Sequence, residues 1–455
     1  MSDLAIQRMF CLTIQWFSEQ TNRLITGSAD RQTEHSLNRE IAQSPDLPRT
    51  SNMKTDSQVV SMRFLICFLL VPGSLFAQKD AASYLEHAKR LHREVPMIDT
   101  HNDLPEMIHE QAQGDLSKMD PDTRLKIDTD IPRLKAGLVG GQFFAAYVPA
   151  AYKDKGAAKY ALEEIDIIKR FTKRSPSLQW ATTADGIVAA HKAGKIASLI
   201  GIEGGYAIEN SLGLLRIYHE LGVRYMTLTH SANTDWADAA TDKPKNGGLS
   251  PFGEEVVREM NRIGIMVDIS HVSDATMVDA IRVSSVPVIF SHSSARALAE
   301  HARNVPDSIL AMMKKNGGVV MVNIFPGFIN PIAAKQTANV LDKMTEFQAQ
   351  FPNDPDRANK AWTQWFENMK LEPGTLGEVA DHVEHIVKIA GIDHVGIGAD
   401  FGSLTTHPVG LEDVSRYPYL TAELLRRGWK DEDVKKFLGL NLLRVMRAVE
   451  QGAEK

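Results

Sequence analysis

The 455-residue sequence has few of the features that mark disulfide-rich or nucleic-acid-binding proteins. It contains two cysteines, Cys11 and Cys67, which leaves no framework for a disulfide-stabilised fold. Its formal net charge is -6, so it lacks the cationic excess with which proteins bind nucleic acid or anionic membranes. These absences favour a globular protein that binds a small molecule, with 43% of residues hydrophobic and 24% charged.

A long uninterrupted apolar run is also missing. The most apolar stretch, 62–77 (MRFLICFLLVPGSLFA), is broken by Pro72 and Gly73 and falls short of the about 20 apolar residues that span a membrane. Its Met-Arg start, apolar centre and small residue at Ala77 are typical of a secretory signal peptide. We therefore expect cleavage near Gln78 and an exported, periplasmic or extracellular protein without stable membrane insertion.

Residues 1–61 are polar, poorly periodic and rich in Ser, Gln, Asn and Thr. Because a signal peptide begins a chain, we interpret 1–61 as an untranslated or disordered extension and Met62 as the true start. Residues 78–455 then form the folded domain, which has no cysteine. The tail AVEQGAEK lacks the hydrophobic run of a lipid-anchor signal.

Short apolar runs rich in Val, Ile, Phe and Met recur along 78–455 and alternate with segments long enough for helices, such as 254–264 and 376–391. This alternation predicts eight parallel strands in a closed (β/α)₈ barrel, a TIM barrel of the α/β class, with a doubly wound open sheet as the alternative. The polar stretch 331–375 predicts a helical insertion over one rim. The predicted strands are 96–101, 140–148, 196–204, 223–230, 264–271, 287–293, 318–325 and 394–401.

Six of the eight predicted strands end in a histidine or a carboxylate. A lone histidine there is usually structural, but the C-terminal strand ends of such a barrel meet at one mouth. Buried imidazoles and carboxylates that converge require a compensating charge, which a divalent cation supplies. The residues concerned are His101, Asp103, Glu203, His230, His271, His292 and Asp400.

Imidazole and carboxylate ligands without thiolate suit zinc best, with manganese, cobalt or iron as alternatives. Three histidines and two carboxylates exceed what one catalytic zinc takes, so two ions are expected, with Glu203 as the bridge. Such a pair generates hydroxide near neutral pH, which is hydrolytic chemistry. The expected ligands are His101, Asp103, Glu203, His271 and His292.

Three further residues have both a functional and a structural interpretation. His230 could donate to a developing oxyanion, or be a structural histidine at a loop entry. Asp400 could accept the nucleophile's proton and pass it to the leaving amine, or cap a loop. Arg303 could bind a substrate carboxylate bidentately, or be a surface arginine in a turn.

Eight motifs are collinear between about Pro96 and Val449: IDTHNDLP, GLVGGQFF, GIEGG, RYMTLTHSANT, DISHVS, PVIFSHSSA, RNVPD and LEDVSRYPYLTAELLRRGW. Together they resemble the membrane (renal) dipeptidase family, peptidase family M19, in a bacterial form. The resemblance implies an amidohydrolase-like barrel with a binuclear zinc centre that cleaves dipeptides to amino acids through a metal-bridging hydroxide. Dipeptides with a C-terminal D-residue and β-lactams are further candidate substrates.

The resemblance also implies a role for each matching residue. His101 and Asp103 would hold one zinc, Glu203 would bridge, and His271 and His292 would hold the second zinc.

Substrate contacts follow from the same motifs. His230 would contact the scissile carbonyl, Arg303 would take the C-terminal carboxylate, and Asp400 would serve the amino group and proton transfer. After Asp400 the sequence has FGS where vertebrate members have FDG. The anchor and disulfides of those members are absent here, and a homodimer stays open.

Two other functions remain as alternatives. Another amidohydrolase-type barrel could act on lactones, phosphoesters or cyclic amides, but such enzymes commonly pair His-x-His with a carboxylated lysine, whereas here His101 is followed by Asp103. A non-catalytic binding or scaffold protein is disfavoured by the presence of all five expected ligands.

Overall fold

The computed structural model of this protein describes residues 81–338 and 340–454. The predicted extension, the predicted signal peptide and both cysteines lie outside the described residues, so those interpretations stay predictions. None of the described helices is long and apolar enough to cross a membrane.

The strands of the described chain are all parallel and form one sheet. They are β1 (Met97–Asp99), β2 (Val139–Tyr147), β3 (Leu178–Trp180), β4 (Ile196–Glu203), β5 (Val223–Thr227), β6 (Met266–Asp268), β7 (Ile289–Phe290), β8 (Val319–Val322) and β9 (Val395–Ile397). β1 pairs with β2 and β9, and β2 pairs directly with β4, so eight strands close into a ring in the order β1, β2, β4 to β9. The predicted (β/α)₈ barrel is confirmed, and the open sheet is rejected.

The strand β3 was not predicted. It pairs only with the start of β4, where Leu178 lies opposite Ile196, and it stays outside the ring. Three residues are too few to produce a periodic pattern in the sequence, and Trp180 at its end is exposed.

Several strands are shorter than predicted because side chains replace strand partners at their ends. The predicted strand 287–293 contains only β7, and the next backbone N–H, that of Ser291, donates to Asp268 Oδ1 at 2.8 Å. The chain therefore leaves the ladder where the candidate site residues begin.

The barrel is held by two buried hydrophobic clusters. One joins side chains from seven of the eight ring strands with the C-terminal helix, and the other packs strands against surrounding helices. Gly439, just before the C-terminal helix, approaches the carbonyl of Pro96 so closely that a Cβ would lie 2.3 Å from it. Since Pro96 precedes β1, this helix covers the end of the barrel where the strands begin, opposite the candidate site.

Helices follow most strands, as the predicted βαβ pattern requires. The predicted helical segment 254–264 lies in a helix that ends at Ile263 and is followed by Gly264 in the left-handed region at φ 85°. The helices are α1 (81–94), α2 (Leu104–Ala112), α3 (Ile131–Ala136), α4 (Ala157–Arg174), α5 (Ala184–Lys192), α6 (Leu212–Leu221), α7 (Pro251–Ile263), α8 (Asp274–Val283), α9 (Asp307–Asn316), α10 (Pro326–Ile329), α11 (Pro331–Thr337), α12 (Val340–Gln350), α13 (Pro355–Glu367), α14 (Leu376–Ala390), α15 (Tyr417–Arg426), α16 (Asp431–Lys435) and α17 (Asn441–Gly452).

The segment between β8 and α14 contains the helices α10 to α13, and the last three lie in the stretch 331–375. Trp362 stacks on Phe366 with ring centroids 5.2 Å apart, and Phe366 lies 6.0 Å from Phe325, which follows β8. Met344 and Trp362 line the same cavity as the strand-end residues. These helices therefore form a roof over the barrel mouth.

Gly201 in β4 leaves space for the ring of Tyr225, since a Cβ would meet that ring at 1.9 Å. Gly201→Ala is expected to lower the free energy of unfolding by about 1 to 3 kcal/mol, because the buried ring must move. Gly377→Ala is the matched control. Its Cβ would meet Thr375 only at 3.6 Å, on a helix where alanine is favoured by up to about 1 kcal/mol. Urea unfolding measures the free energy of unfolding of both variants. An equal change in the two would contradict the prediction.

Candidate metal centre

The structure brings all seven strand-end residues together at the C-terminal mouth of the barrel. His101 and Asp103 follow β1, Glu203 ends β4, His230 follows β5, His271 follows β6, His292 follows β7 and Asp400 follows β9. Their convergence follows from the topology, because parallel strands of a closed barrel all end at the same rim.

The carboxylate of Glu203 lies at the centre of four imidazoles. Its Oε1 is 2.9 Å from His271 Nε2, 3.3 Å from His292 Nε2 and 3.6 Å from His230 Nε2. Its Oε2 is 3.3 Å from His101 Nε2. Burial opposes ionisation, but the charge of His101 and the hydrogen bonds from His101 and His271 outweigh it and hold the pKa of Glu203 well below its usual value. The two oxygens of one carboxylate thus face different histidines.

The orientation of His101 is fixed from behind. Its Nδ1 lies 3.0 Å from the hydroxyl oxygen of Tyr225, whose own hydrogen goes to the carbonyl of Thr100 at 3.0 Å. The tyrosine oxygen must therefore accept the Nδ1–H of His101, which leaves Nε2 directed into the site.

His292 is oriented in the same way. Its Nδ1 lies 2.8 Å from Ser291 Oγ, and that hydroxyl donates to Asp268 Oδ2 at 2.6 Å. The serine oxygen accepts the Nδ1–H, so the Nε2 of His292 also points into the site as a lone pair.

The donor set fits divalent metal ions. His101 Nε2 and Asp103 Oδ1 are buried without a hydrogen-bond partner, and the Nε2 atoms of His271 and His292 lie 2.8 Å apart. Burial disfavours a charged imidazole, yet the Tyr225 hydroxyl and the nearby carboxylates raise the pKa of His101 well above its usual value. Donor atoms that face one another in a buried setting rich in carboxylates are stabilised by positive charge between them, which a divalent metal ion would supply.

Three groups of potential ligands have their donor atoms within 4.8 Å of one another. They share members, so the whole set forms one continuous centre. The groups are His101 with Glu203 and His292, Glu203 with His230 and His271, and His101 with Asp103 and Asp400.

The two aspartates are held by partners that the sequence analysis missed. Asp103 Oδ2 accepts from the hydroxyl of Ser403 at 2.8 Å, and Asp400 Oδ2 accepts from the amide of Asn323 at 2.8 Å. Ser403 belongs to the FGS triplet, and a Cβ on Gly402 would meet the Asp103 backbone at 2.7 Å. The departure from the family pattern therefore lies directly against a candidate ligand.

Asp400 has an unusual titration environment. Burial and the charge of Asp103 raise its pKa to about 7, with a further contribution from Glu203. Its Oδ1 lies 3.7 Å from His101 Nε2. A carboxyl in this pKa range can both accept and release a proton near neutral pH.

Arg303 is buried, with 3% of its surface exposed, so the alternative of a surface arginine in a turn is wrong. Its guanidinium donates to Ser293 Oγ at 3.3 Å and to the His292 carbonyl at 3.2 Å, and lies 5.1 Å from the Phe328 ring. Nε has no partner, and no carboxylate of the described residues forms an ion pair with it. Burial lowers its pKa to about 10. The mouth therefore contains a buried cation without a direct ion-pair partner among the described residues.

His230 lies at the side of the centre. Its ring packs 4.2 Å from the His271 ring and 4.7 Å from the Tyr147 ring, and its backbone N–H donates to the Tyr206 hydroxyl at 3.1 Å. Burial lowers its pKa to about 4, so its ring is neutral at pH 7. A neutral imidazole can present one N–H as a donor.

The centre opens into a cavity of about 280 Å³ beneath the roof helices. This volume is at the small end of ligand pockets. Carboxylates, imidazoles and Arg303 line its floor, while Phe325, Met344 and Trp362 line the roof side.

Comparisons with known proteins identify the family of this chain. The membrane dipeptidase family (peptidase family M19) matches residues 85–455. Dipeptidase 3 of Rattus norvegicus is 41% identical over 375 residues, which is 81% of this chain and 68% of that protein. Dipeptidase 3 of Macaca fascicularis is 38% identical over 372 residues, with the same coverage of 81% and 68%.

Among solved structures, the probable dipeptidase PvdM from Pseudomonas aeruginosa is similar with a TM-score of 0.70 and 26% identity. The similarity covers 82% of this chain and 100% of that one. Because the family match spans most of the sequence and a 41% identical relative is covered over 68% of its length, the chain belongs to the membrane dipeptidase family, peptidase family M19, a family of metallo-dipeptidases.

Proposed function

We propose that this protein is a zinc-dependent dipeptidase that hydrolyses the peptide bond of a dipeptide at the strand-end centre. The observation that carries the proposal is the convergence of imidazoles and carboxylates around Glu203, beside a buried arginine without an anionic partner. The first feature calls for metal cations and the second for a substrate carboxylate.

Two zinc ions are proposed, with Glu203 as their bridge. His101 and Asp103 would hold one ion, and His271 and His292 the other. The carboxylate supports this division, because Oε2 faces His101 at 3.3 Å while Oε1 faces His271 at 2.9 Å. When bound, the two ions would supply a hydroxide nucleophile near neutral pH and would polarise the scissile carbonyl.

Arg303 is proposed to bind the C-terminal carboxylate of the substrate. Its Nε is buried without a partner, and a carboxylate can accept two parallel N–H bonds from a guanidinium. An anion here would also compensate the buried charge. The small cavity and this fixed carboxylate site together favour dipeptides over longer peptides.

The two remaining roles belong to His230 and Asp400. The neutral ring of His230 would donate a hydrogen bond to the oxygen of the scissile carbonyl as negative charge develops on it. Asp400 is held through Oδ2 by Asn323, so its Oδ1 remains directed toward the centre. There it would bind the substrate amino group, accept the proton of the attacking nucleophile and deliver it to the leaving amine.

The zinc-loaded protein is expected to cleave Gly-Leu and Ala-Ala dipeptides, to lose that activity with a chelator and to regain it with zinc. Adding Ala-D-Ala tests whether a C-terminal D-residue is accepted, as the family resemblance suggests.

Glu203→Gln should abolish turnover and reduce bound zinc from two ions per chain to one or none, because the bridge loses its charge.

Product analysis measures the cleavage, elemental analysis the zinc, and circular dichroism the fold. Glu220→Gln is the control, since that side chain is 80% exposed and should leave turnover and zinc content as in the unaltered protein. Near-normal turnover by Glu203→Gln would contradict the bridging role, and no cleavage of any dipeptide would contradict the function.

Arg303→Met is expected to reduce kcat/KM for dipeptides roughly 10- to 100-fold, mainly through KM, because a charged hydrogen bond to the substrate is lost. The same change should raise the free energy of unfolding by about 1 to 4 kcal/mol, since a buried charge without a direct ion-pair partner is removed. Arg427→Met is the control: its guanidinium contacts Asp381 at 2.6 Å and Glu384 at 2.7 Å, so stability should fall while kcat/KM stays constant. Steady-state kinetics measures kcat/KM, and urea unfolding measures the free energy of unfolding, for both variants. A destabilised Arg303→Met variant with unchanged KM would refute this role.

We also propose that the enzyme is exported. The support is the sequence of 62–77, with its Met-Arg start, apolar centre and small residue at Ala77. N-terminal sequencing of protein recovered outside the cytoplasm is expected to begin near Gln78, and recovery of a chain that starts at Met1 would rule out cleavage.

A further inference from the structure

A row of carboxylates leads from the metal centre along the helix α2. Asp103 immediately precedes this helix, and Glu106 and Glu110 follow at spacings of three and four residues. Residues so spaced share one face, and each helical turn advances by about 5.4 Å. All three line the cavity, so negative groups continue for about two turns away from the centre.

Glu106 has no hydrogen-bond or ion-pair partner among the described residues. It is 91% buried, since 9% of its surface is exposed, and no donor or cation of the described chain forms a hydrogen bond or ion pair with its carboxylate. Burial and the nearby charges of Glu110 and Asp103 raise its pKa well above the usual value. Its ionised form is therefore disfavoured in the free protein and becomes favourable when a cation binds beside it.

Glu106 and Arg303 line different parts of the same cavity. Arg303 follows β7 and Glu106 follows β1, and these strands are separated by two ring strands on one side and four on the other. A dipeptide whose carboxylate contacts Arg303 and whose peptide bond lies at Glu203 would therefore direct its N-terminal residue toward α2.

The surroundings of Glu106 suit a long side chain with an apolar stem. Met107, Met344 and Leu404 line the same cavity and offer apolar contacts. Lysine and arginine combine such a stem with a charged end. Beyond Glu110 a second cavity of about 1250 Å³ begins, which also includes Glu110 and so leaves space for the end of the side chain.

We infer that Glu106, with Glu110 one turn further on, forms a specificity subsite for the positively charged side chain of a lysyl or arginyl residue at the N-terminal position of the dipeptide. This inference rests on the proposed dipeptidase function and specifies its substrate class.

The test compares lysyl-alanine with norleucyl-alanine, which has the same linear carbon chain without the ammonium group. For the zinc-loaded enzyme, kcat/KM is expected to be roughly 10- to 100-fold higher for lysyl-alanine, as one charge-assisted hydrogen bond would give. In Glu106→Gln the ratio of the two kcat/KM values should fall to within about threefold of unity, mainly through a higher KM for lysyl-alanine. Glu110→Gln should give an intermediate ratio, and thermal unfolding verifies that each variant is folded.

Glu163→Gln is the matched control. Glu163 lines the second cavity but not the first, and its side chain is 46% exposed, so the same charge is removed without touching the subsite. In Glu163→Gln the ratio of kcat/KM for lysyl-alanine to kcat/KM for norleucyl-alanine should equal that of the unaltered enzyme.

Each contrary outcome has a distinct meaning. Equal cleavage of both substrates by the unaltered enzyme would overturn the inference and leave the dipeptidase function intact. An equal loss of preference in Glu106→Gln and Glu163→Gln would also overturn it, because the preference would then reflect general charge. Absence of cleavage of both substrates would overturn the proposed function and the inference with it.

Discussion

The rest of the mouth depends on one constraint, the close approach of four imidazoles to the buried carboxylate of Glu203. Nitrogen and oxygen lone pairs that face one another at about 3 Å in a buried site are unfavourable without cations between them. To hold them there, the protein orients the imidazoles from behind. Tyr225 accepts from one ring and Ser291 from another, so neither imidazole can turn away to satisfy itself elsewhere.

The backbone at the strand ends is adapted to the same constraint. His271 and Asp400 both have positive φ, 65° and 73°, a backbone conformation that residues other than glycine rarely adopt. These residues sit directly above strands whose side chains are fully buried, as in the cluster around Phe143 and Tyr225. A tightly packed barrel can maintain such strained positions, which is why they occur where the ligands must converge.

Sequence reasoning predicted the part of the site that topology alone decides. Parallel strands in a closed barrel end at one rim, so the strand-end histidines and acids could be assigned to a single centre without coordinates. The support from Tyr225 and Ser403 could not be predicted, because it depends on strand register and on a loop approaching from across the mouth. The burial of Arg303 depends on packing against Phe328 and was equally invisible to periodicity.

The structure also separates the groups suited to chemistry from those suited to selecting a substrate. The candidate ligands stand on strand ends, whose positions are fixed by the ladder and by buried partners. Glu106 stands on the first turn of α2, and the roof of the cavity comes from helices inserted after β8. A side chain on such a helix can change without moving any strand end, because its backbone bonds lie within the helix and not in the barrel. Charge at Glu106 can therefore tune which N-terminal residue is accepted while the centre around Glu203 retains its geometry.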